Sequence, residues 1–225
     1  MRRCATAFVV TLLATACGDV VTSEPEGLVE ATSSIAPDTT GVDTDADADA
    51  PAADLPLGYE LVEVESAGLA FAAPADWESI DPDRVLGTGT AAAEEIADRL
   101  GISVEQLQST VNVAMDVMVI EPFGLVFSDN INLITIELDE VPPVAFIERD
   151  LESFGAIIVG TKDVSGPGAS GVQVDYELTI GGGTVEGSSV ALLINGLVRN
   201  FTVSTDDRAD TEELAVALIE SARAL

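Results

Sequence analysis

The chain has 225 residues, a length that fits one domain of about 100–200 residues plus additional segments. Hydrophobic residues make up 47% and aromatic residues only 4%, so we predict a core built mainly from Val, Ile, Leu and Ala. Forty Asp and Glu residues against nine Lys and Arg residues give a net charge of −31. Such a surface repels phosphates and anionic headgroups, which argues against nucleic acids and an anionic membrane surface as direct partners.

The first residues have the pattern of an export signal. Arg2 and Arg3 precede an apolar stretch at 5–13 and a small-residue cleavage site at 14–16. The apolar stretch is shorter than the about 20 residues that a membrane-spanning helix needs. We therefore predict a signal peptide at 1–16, whose removal would make the net charge −33.

Cys17 follows this cleavage site directly. The sequence Leu-Ala-Thr-Ala-Cys resembles the lipobox of bacterial lipoproteins, in which the cysteine thiol is acylated, although Ala14 stands where Leu is most usual. Ordinary signal peptidase is the alternative, since 14–16 also suits that enzyme. We predict lipid on Cys17 that holds the chain on the outer face of the cell membrane, each buried methylene contributing about 0.8 kcal/mol. Cys4 lies in the signal, so no intramolecular disulfide is predicted.

The segment 17–57 differs from the rest of the chain in composition. It is rich in Ser, Thr, Pro and acidic residues and contains no Lys or Arg, which predicts a disordered acidic tether. Asp recurs at 43, 45, 47 and 49, as in a calcium-binding loop. However, Ala48 replaces the required glycine and Asp54 the bidentate glutamate, so a low-complexity linker is favoured over a calcium site.

Residues 58–225 are predicted to form one folded domain. Apolar periodicity and turn residues predict strands at 59–64, 69–73, 111–120, 130–138, about 156–162, 172–180, 185–194 and 197–204. The same criteria predict helices at 91–100, 103–110, 144–154 and about 211–224, the last capped by Asp210 or Thr211 and burying Leu214, Leu218 and Leu225. Strands joined by tight hairpins and segregated from helices indicate an α+β domain with an antiparallel sheet covered by helices.

Several short stretches resemble the PsbP/Mog1-like fold, and in particular the actinobacterial lipoproteins of the LpqN type. They are Phe71-x-x-Pro74-x-x-Trp77, Asn130-Ile131-Asn132, Asp175-Tyr176-Glu177, and the hairpin at 195–203. Asp76 stands where the family usually has Gly. The resemblance covers about residues 59–225 and implies an α-β-α sandwich. It implies accessory or binding roles and no shared catalytic motif, so it carries an expectation about fold more than about activity.

The residue types limit the available chemistry. The chain has no histidine, which excludes Ser-His triads and the usual zinc ligand, and no cysteine remains free once Cys17 is acylated. We predict no catalytic residue, metal or cofactor. The alternative is a hydrolase of envelope glycan that uses a carboxylate pair, either Asp116 with Glu121 or Asp175 with Glu177. A sheet-edge or solvent-facing position is favoured for Asp116 over a catalytic role, and a solvated strand face for Asp175 and Glu177. The acidic surface as a whole is attributed to solubility or a salty habitat in preference to a divalent-cation site.

Three aromatic residues are the candidate binding residues. Trp77 is the sole tryptophan and is interpreted either as a plug at the end of the core or as a wall of a ligand site. Phe123 and Phe127 lie in an apolar loop that either covers the core or forms a partner site. The resulting hypothesis is a lipid-anchored, non-enzymatic binding or accessory module of the cell envelope, whose partner is an envelope protein or a small apolar ligand.

Overall fold

A computed structural model of the chain describes residues 55–86, 90–100, 103–111, 115–122, 128–180 and 182–225. Its strands are β1 (Tyr59–Val64), β2 (Leu69–Pro74), β3 (Glu78–Ile80), β4 (Val117–Ile120), β5 (Asn130–Ile136), β6 (Ile157–Gly166), β7 (Ala169–Ile180), β8 (Gly183–Ile194), β9 (Leu197–Thr205) and β10 (Arg223–Ala224). Its helices are α1 (Pro82–Leu86), α2 (Thr90–Leu100), α3 (Val104–Thr110), α4 (Val144–Ser153) and α5 (Arg208–Ser221).

Seven strands form one antiparallel sheet in the order β3-β4-β5-β9-β8-β7-β6. The last four strands of that order form a meander in which neighbours in sequence pair with each other. Asn195 and Gly196 connect β8 to β9 with φ values of 50° and 71°. Asn and Gly adopt this left-handed conformation most readily, and so this dipeptide makes a tight hairpin turn.

One face of the large sheet is covered by α5 and by a three-stranded sheet of order β1-β2-β10. Leu214 and Leu218 of α5 are buried against this face. The rings of Phe71 in β2 and Phe201 in β9 meet edge to face with centroids 5.2 Å apart, an arrangement favoured by their quadrupoles. This face therefore has a continuous aliphatic core with an aromatic pair within it.

The opposite face is covered by helices at two places. α4 packs on β6 and β7 and buries Ile147 and Leu151 completely. α1, α2 and α3 cover β4 and enclose Met118 and Ile120. The sheet is thus sandwiched between helical layers, and the predicted α+β class is confirmed.

Most predicted elements are found close to their predicted positions. The first hairpin, α4 and the strands of the meander differ from the predicted bounds by a few residues at most. β3 and α1 were not predicted, since each is too short for periodicity to be visible. The predicted signal peptide and almost all of the predicted tether, including its alternating Asp residues, lie outside the described residues.

Three predictions about local structure were wrong. The strand predicted at 111–120 is β4, which begins only at Val117, because Val111 follows α3 and is buried in the helical cluster over β4. α5 begins at Arg208 and its N-cap is Asp207, not Asp210 or Thr211. Leu225 is 60% exposed, since the chain leaves α5 at Ala222.

Asp207 is the N-cap of α5 and is expected to stabilise the fold. The Asp207 carboxylate accepts hydrogen bonds from the backbone N–H groups of Ala209 at 2.7 Å and Asp210 at 3.4 Å. Asp207→Ala is expected to lower the free energy of unfolding by about 1 kcal/mol, measured by urea denaturation. Asp163→Ala, at an exposed site on β6, is the control, and an equal loss in both variants would contradict the capping role.

Within the described residues, none of the helices combines the length and the apolar character required to cross a membrane.

Candidate functional site: an apolar edge of the large sheet

Three large apolar side chains are exposed where α4 ends and β6 begins. Phe154 is 48% exposed, Ile157 66% and Val159 48%. We call these three residues the edge patch. They lie within six positions of the chain, and Gly155 (φ 88°) turns the backbone between the helix and the strand. A cluster of exposed apolar groups of this kind is typical of an interaction surface, whereas single exposed residues are ordinary.

The edge patch lies on a strand with a free side. β6 is the terminal strand of the large sheet, and among the described strands it pairs only with β7. An edge strand presents backbone N–H and C=O groups that another extended chain is able to pair with. The edge patch therefore combines apolar side chains with available backbone hydrogen-bonding groups.

The sequence of β6 restricts how this edge is used. The pairing register with β7 shifts between Ile158 and Gly160, so Val159 forms a bulge. Lys162 and Asp163 follow and are exposed. Bulges and charged residues are common devices that prevent unwanted pairing between sheet edges. The start of β6, which carries the apolar side chains, is consequently the more open part of the edge.

The surroundings of the edge patch are mostly acidic. The Glu148 carboxylate on α4 accepts a hydrogen bond from the Thr161 hydroxyl at 3.0 Å, and Glu152 on the same helix is exposed. Ile157 lies opposite Glu177 of β7. The Arg149 guanidinium lies 5.1 Å from the centre of the Phe146 ring, so one nearby cation is held by an aromatic face.

The candidate binding residues from the sequence do not belong to this patch. Trp77 is partly buried and packs against the core that β2 and α5 share, a position consistent with the plug interpretation. Phe123 and Phe127 lie outside the described residues, as does Cys17. The edge patch itself was not predicted, although Ile157 and Val159 stood in a predicted strand. Which strand forms the edge depends on the order of the sheet, which the sequence pattern does not contain.

Asp116 forms hydrogen bonds within the fold. It directly precedes β4, and its Oδ2 accepts hydrogen bonds from the Thr135 backbone N–H at 2.6 Å and from the Thr135 hydroxyl at 2.7 Å. The Arg199 guanidinium donates to the same hydroxyl. Arg199 is only 6% exposed, and this burial lowers its pKa while the Asp116 charge opposes the shift. Asp116 is therefore partly buried and bound within the fold, a position between the solvent-facing one that was expected and the core.

Asp116 and Glu121 do not have the spacing of a glycosidase pair. Asp116 and Glu121 lie at opposite ends of β4, five positions apart, which corresponds to roughly 16 Å along an extended strand. Paired glycosidase carboxylates are about 5–9.5 Å apart. Asp175 accepts a hydrogen bond from Gln173 at 2.7 Å, and Glu177 pairs with Arg208 at 3.1 Å. Glu177 thus holds Arg208 at the N-terminus of α5, and Asp175 is held by Gln173 of the same strand, so each acid has a structural contact.

Asp129, Asp206 and Glu121 form an acidic group near the start of β5. The Asp129 carboxylate accepts a hydrogen bond from the Asp206 backbone N–H at 3.2 Å. Burial, together with the nearby negative charges of Asp206 and Glu121, raises the pKa of Asp129 from 3.8 to about 6. Among the described residues, no cluster of three or more potential ligands is arranged to hold a metal ion. The group is therefore a site of charge repulsion that responds to pH.

This repulsion predicts a pH-dependent gain in stability for Asp129→Asn. A carboxyl whose pKa is raised in the folded state stabilises the protein below about pH 4, and this contribution is lost as the pH rises through about 6. Because Asp129 is about half exposed, the expected gain near neutral pH is only about 1 kcal/mol. Urea denaturation at neutral pH and at about pH 4 measures it, and an equal gain at both would contradict the assignment.

The similarity to known proteins concerns the fold. No family model matches the chain, and no curated protein matches its sequence. The solution structure of cyanobacterial PsbP (CyanoP) from Synechocystis sp. PCC 6803 is 14% identical, with 81% of this chain and 99% of that chain covered and a TM-score of 0.47.

Two further solved structures are also similar to this chain. LpqN, described as involved in cell envelope biogenesis of Mycobacterium tuberculosis, is 12% identical, with 73% and 89% of the two chains covered and a TM-score of 0.40. The protein PA94 of Pseudomonas aeruginosa, of unknown function and a possible regulator, is 14% identical, with 71% and 90% covered and a TM-score of 0.35. A PsbP and LpqN, the two kinds of protein named by the resemblance in the sequence, are thus among the similar solved structures.

Proposed function

We propose that this protein is a lipid-anchored, non-enzymatic binding module of the cell envelope whose edge patch receives an extended segment of another envelope protein. The lipid on Cys17 would hold the chain at the outer face of the membrane, and the acidic tether would separate the folded domain from the bilayer. The observation that carries the proposal is the exposure of Phe154, Ile157 and Val159 beside a free sheet edge.

The chemistry of the patch favours an extended protein segment over a small apolar ligand. Backbone groups along a free edge are satisfied by another backbone, while alternating apolar side chains of that segment would cover Ile157 and Val159. Burying these side chains contributes about 25 cal/mol per Å² of apolar area removed from water. A small ligand would cover the side chains and leave the backbone groups of β6 unpaired.

Charge favours a different protein over a second copy of this chain. Two copies with a net charge of −31 each would repel each other on approach. Acidic residues also flank the edge patch, including Glu148 and Glu152. The fitting partner therefore presents an apolar stretch with basic residues next to it, a pattern that reduces this repulsion and accelerates association.

The anchor is tested by metabolic labelling with palmitate in the bacterial host. Wild-type chain is expected to incorporate the label and to remain with membranes, and Cys17→Ser is expected to lose both properties. Cys4→Ser should behave as wild type, because Cys4 lies in the predicted signal peptide. Label entering the Cys17→Ser variant would refute the anchor without affecting the edge patch.

The patch is tested by a photo-crosslinking amino acid placed at Ile157 in intact cells. We expect one discrete adduct of protein size, and we expect it to disappear when Phe154→Asp is added to the same chain. A probe at Glu105, exposed on α3, is the matched control and should give no such adduct. An adduct of twice the mass of this chain, a mass gain of a few hundred daltons, or equal adducts at both positions would overturn the proposal.

A further inference from the structure

The outward face of α5 forms a second surface that the edge patch does not include. Glu212, Val216 and Glu220 recur at intervals of four residues and therefore lie on adjacent turns of the helix. All three are exposed, and the apolar Val216 is 45% exposed between the two carboxylates. The outward face of α5 thus presents one exposed apolar side chain between two exposed carboxylates.

A groove of about 340 Å³ runs along this row. We call it the α5 groove, and its lining residues are Pro56, Ala209, Glu212, Glu213, Val216, Ala217 and Glu220. The lining combines an apolar floor with three carboxylates and includes no basic residue. Glu213 accepts a hydrogen bond from the Tyr59 hydroxyl at 3.3 Å, whereas Glu212 and Glu220 carry no ion pair to any described residue.

On the other side of Val216 and Glu220 lies a buried side chain with an unsatisfied hydrogen-bond acceptor. A smaller groove of about 170 Å³ shares Val216 and Glu220 with the α5 groove and is also lined by Gln173 and Lys162. The Gln173 side chain is fully buried, and its Oε1 has no hydrogen-bond partner among the described residues. A buried acceptor without a donor is costly, and because this atom has no exposed surface the cost lies within the fold and gives a partner no contact.

The spacing along α5 matches that of an extended peptide. Four helical residues advance about 6 Å, so Glu212, Val216 and Glu220 lie at about 0, 6 and 12 Å along the axis. Alternate residues of an extended chain are about 6.6 Å apart, which places positions one, three and five at about 0, 6.6 and 13 Å on one side. We propose that the α5 groove binds an extended protein segment with the pattern basic-x-apolar-x-basic.

Charge complementarity favours the basic-x-apolar-x-basic segment over a second copy of this chain. The basic side chains would pair with Glu212 and Glu220, and the central apolar side chain would cover Val216. A second copy of this chain is disfavoured because its own surface is strongly acidic. Lys162 lies in the smaller groove and repels cations, so the basic side chains of the segment are directed to the α5 groove.

A synthetic peptide tests this site in the full-length chain carrying Cys17→Ser. The fluorescein-labelled probe is Lys-Thr-Leu-Thr-Lys, which is too short to form a stable helix, so binding reports the extended form. We expect saturable binding by fluorescence anisotropy that weakens about tenfold when Glu212→Gln and Glu220→Gln are combined. Val216→Ser should also weaken it, and salt raised from about 50 to about 300 mM should reduce it.

Matched controls separate this site from general attraction to an acidic protein. The pair Glu94→Gln and Glu105→Gln, on α2 and α3, removes the same charge and should change the affinity less than about twofold. The peptides Glu-Thr-Leu-Thr-Glu and Lys-Thr-Ser-Thr-Lys should bind at least about tenfold more weakly. Equal losses in the two glutamate pairs, or no saturable binding, would overturn the proposal. None of these substitutions alters the edge patch, whose own test is the crosslinking at Ile157, so a failure of the α5 groove leaves the proposed function standing.

Discussion

Asp116→Ala is expected to lower the free energy of unfolding by about 3 kcal/mol, although the residue is far from any proposed binding surface. Its carboxylate accepts two hydrogen bonds from Thr135 and provides the negative charge nearest to the buried Arg199. Removing the carboxylate leaves the Thr135 N–H without its acceptor and the Arg199 cation without compensation. Losing one partner of such a group costs far more than an average surface substitution, which changes stability by about 0.5 kcal/mol or less.

A double-mutant cycle separates this cause from general damage to β4. Arg199→Met alone removes the buried cation, and in its presence Asp116→Ala should cost at least about 1 kcal/mol less than in wild type. Asp98→Ala, an exposed acid on α2, is the control and should have little effect. Urea denaturation measures all the variants, and additive losses from Asp116→Ala and Arg199→Met would contradict the coupling.

The same contacts affect any test of the hydrolase hypothesis. A loss of activity in Asp116→Asn would have two explanations, since the amide is a weaker acceptor for Thr135 and leaves Arg199 uncompensated. Retained hydrolysis in a well-folded Asp116→Asn variant would exclude a catalytic Asp116. Hydrolysis lost by that variant without a change in its unfolding midpoint would refute a purely structural role.

Gly187→Ala is the second substitution with a large expected effect. Gly187 in β8 lies opposite Tyr176 in β7, and a Cβ at this position would overlap the Cζ and Cε2 atoms of the tyrosine ring. Tyr176 is fully buried, which also raises its pKa to about 12, so the ring has no free space to move into. We expect the added methyl group to lower the free energy of unfolding by about 3 kcal/mol through overpacking.

Two variants identify the tyrosine ring as the cause. Gly183→Ala lies on the same strand, where a Cβ would have only an ordinary contact with the Ile180 carbonyl oxygen at 3.7 Å, and should cost less than about 1 kcal/mol. Tyr176→Leu removes the ring atoms that the methyl group would meet. In that background Gly187→Ala should cost at least about 2 kcal/mol less than in wild type. An unchanged cost would show that the strand backbone, and not the ring, is limiting.

The architecture was largely predictable because its signals are local. Alternating apolar residues in 172–180 and the Asn195-Gly196 turn determine strands and a hairpin within a few residues of the observed bounds. The apolar residues of α4 recur with helical spacing for the same reason. The strand predicted at 111–120 was too long, because a largely apolar run does not show that Val111 belongs to the helical cluster and that β4 begins only at Val117.

The candidate surfaces were less predictable because they depend on contacts between distant segments. Ile157 and Val159 look like ordinary strand residues until the order of the sheet places β6 at its edge. The preference of a first helical turn for negative charge explains Asp210 of α5 and not Glu212 or Glu220. Only the packing of the helix shows Val216 exposed between these two glutamates. Asp116 similarly requires knowledge that Thr135 and Arg199 are its neighbours.

Lys162 has a practical consequence for studies of this protein in cells. It is the sole lysine of the chain, and it is exposed on β6 between the edge patch and the hairpin to β7. Reagents that couple primary amines would attach to the folded domain at this one residue, so proteins captured with them would come mainly from the β6 side. A dye attached there would in turn give a uniform, single-site reporter whose emission responds to contacts made along that strand.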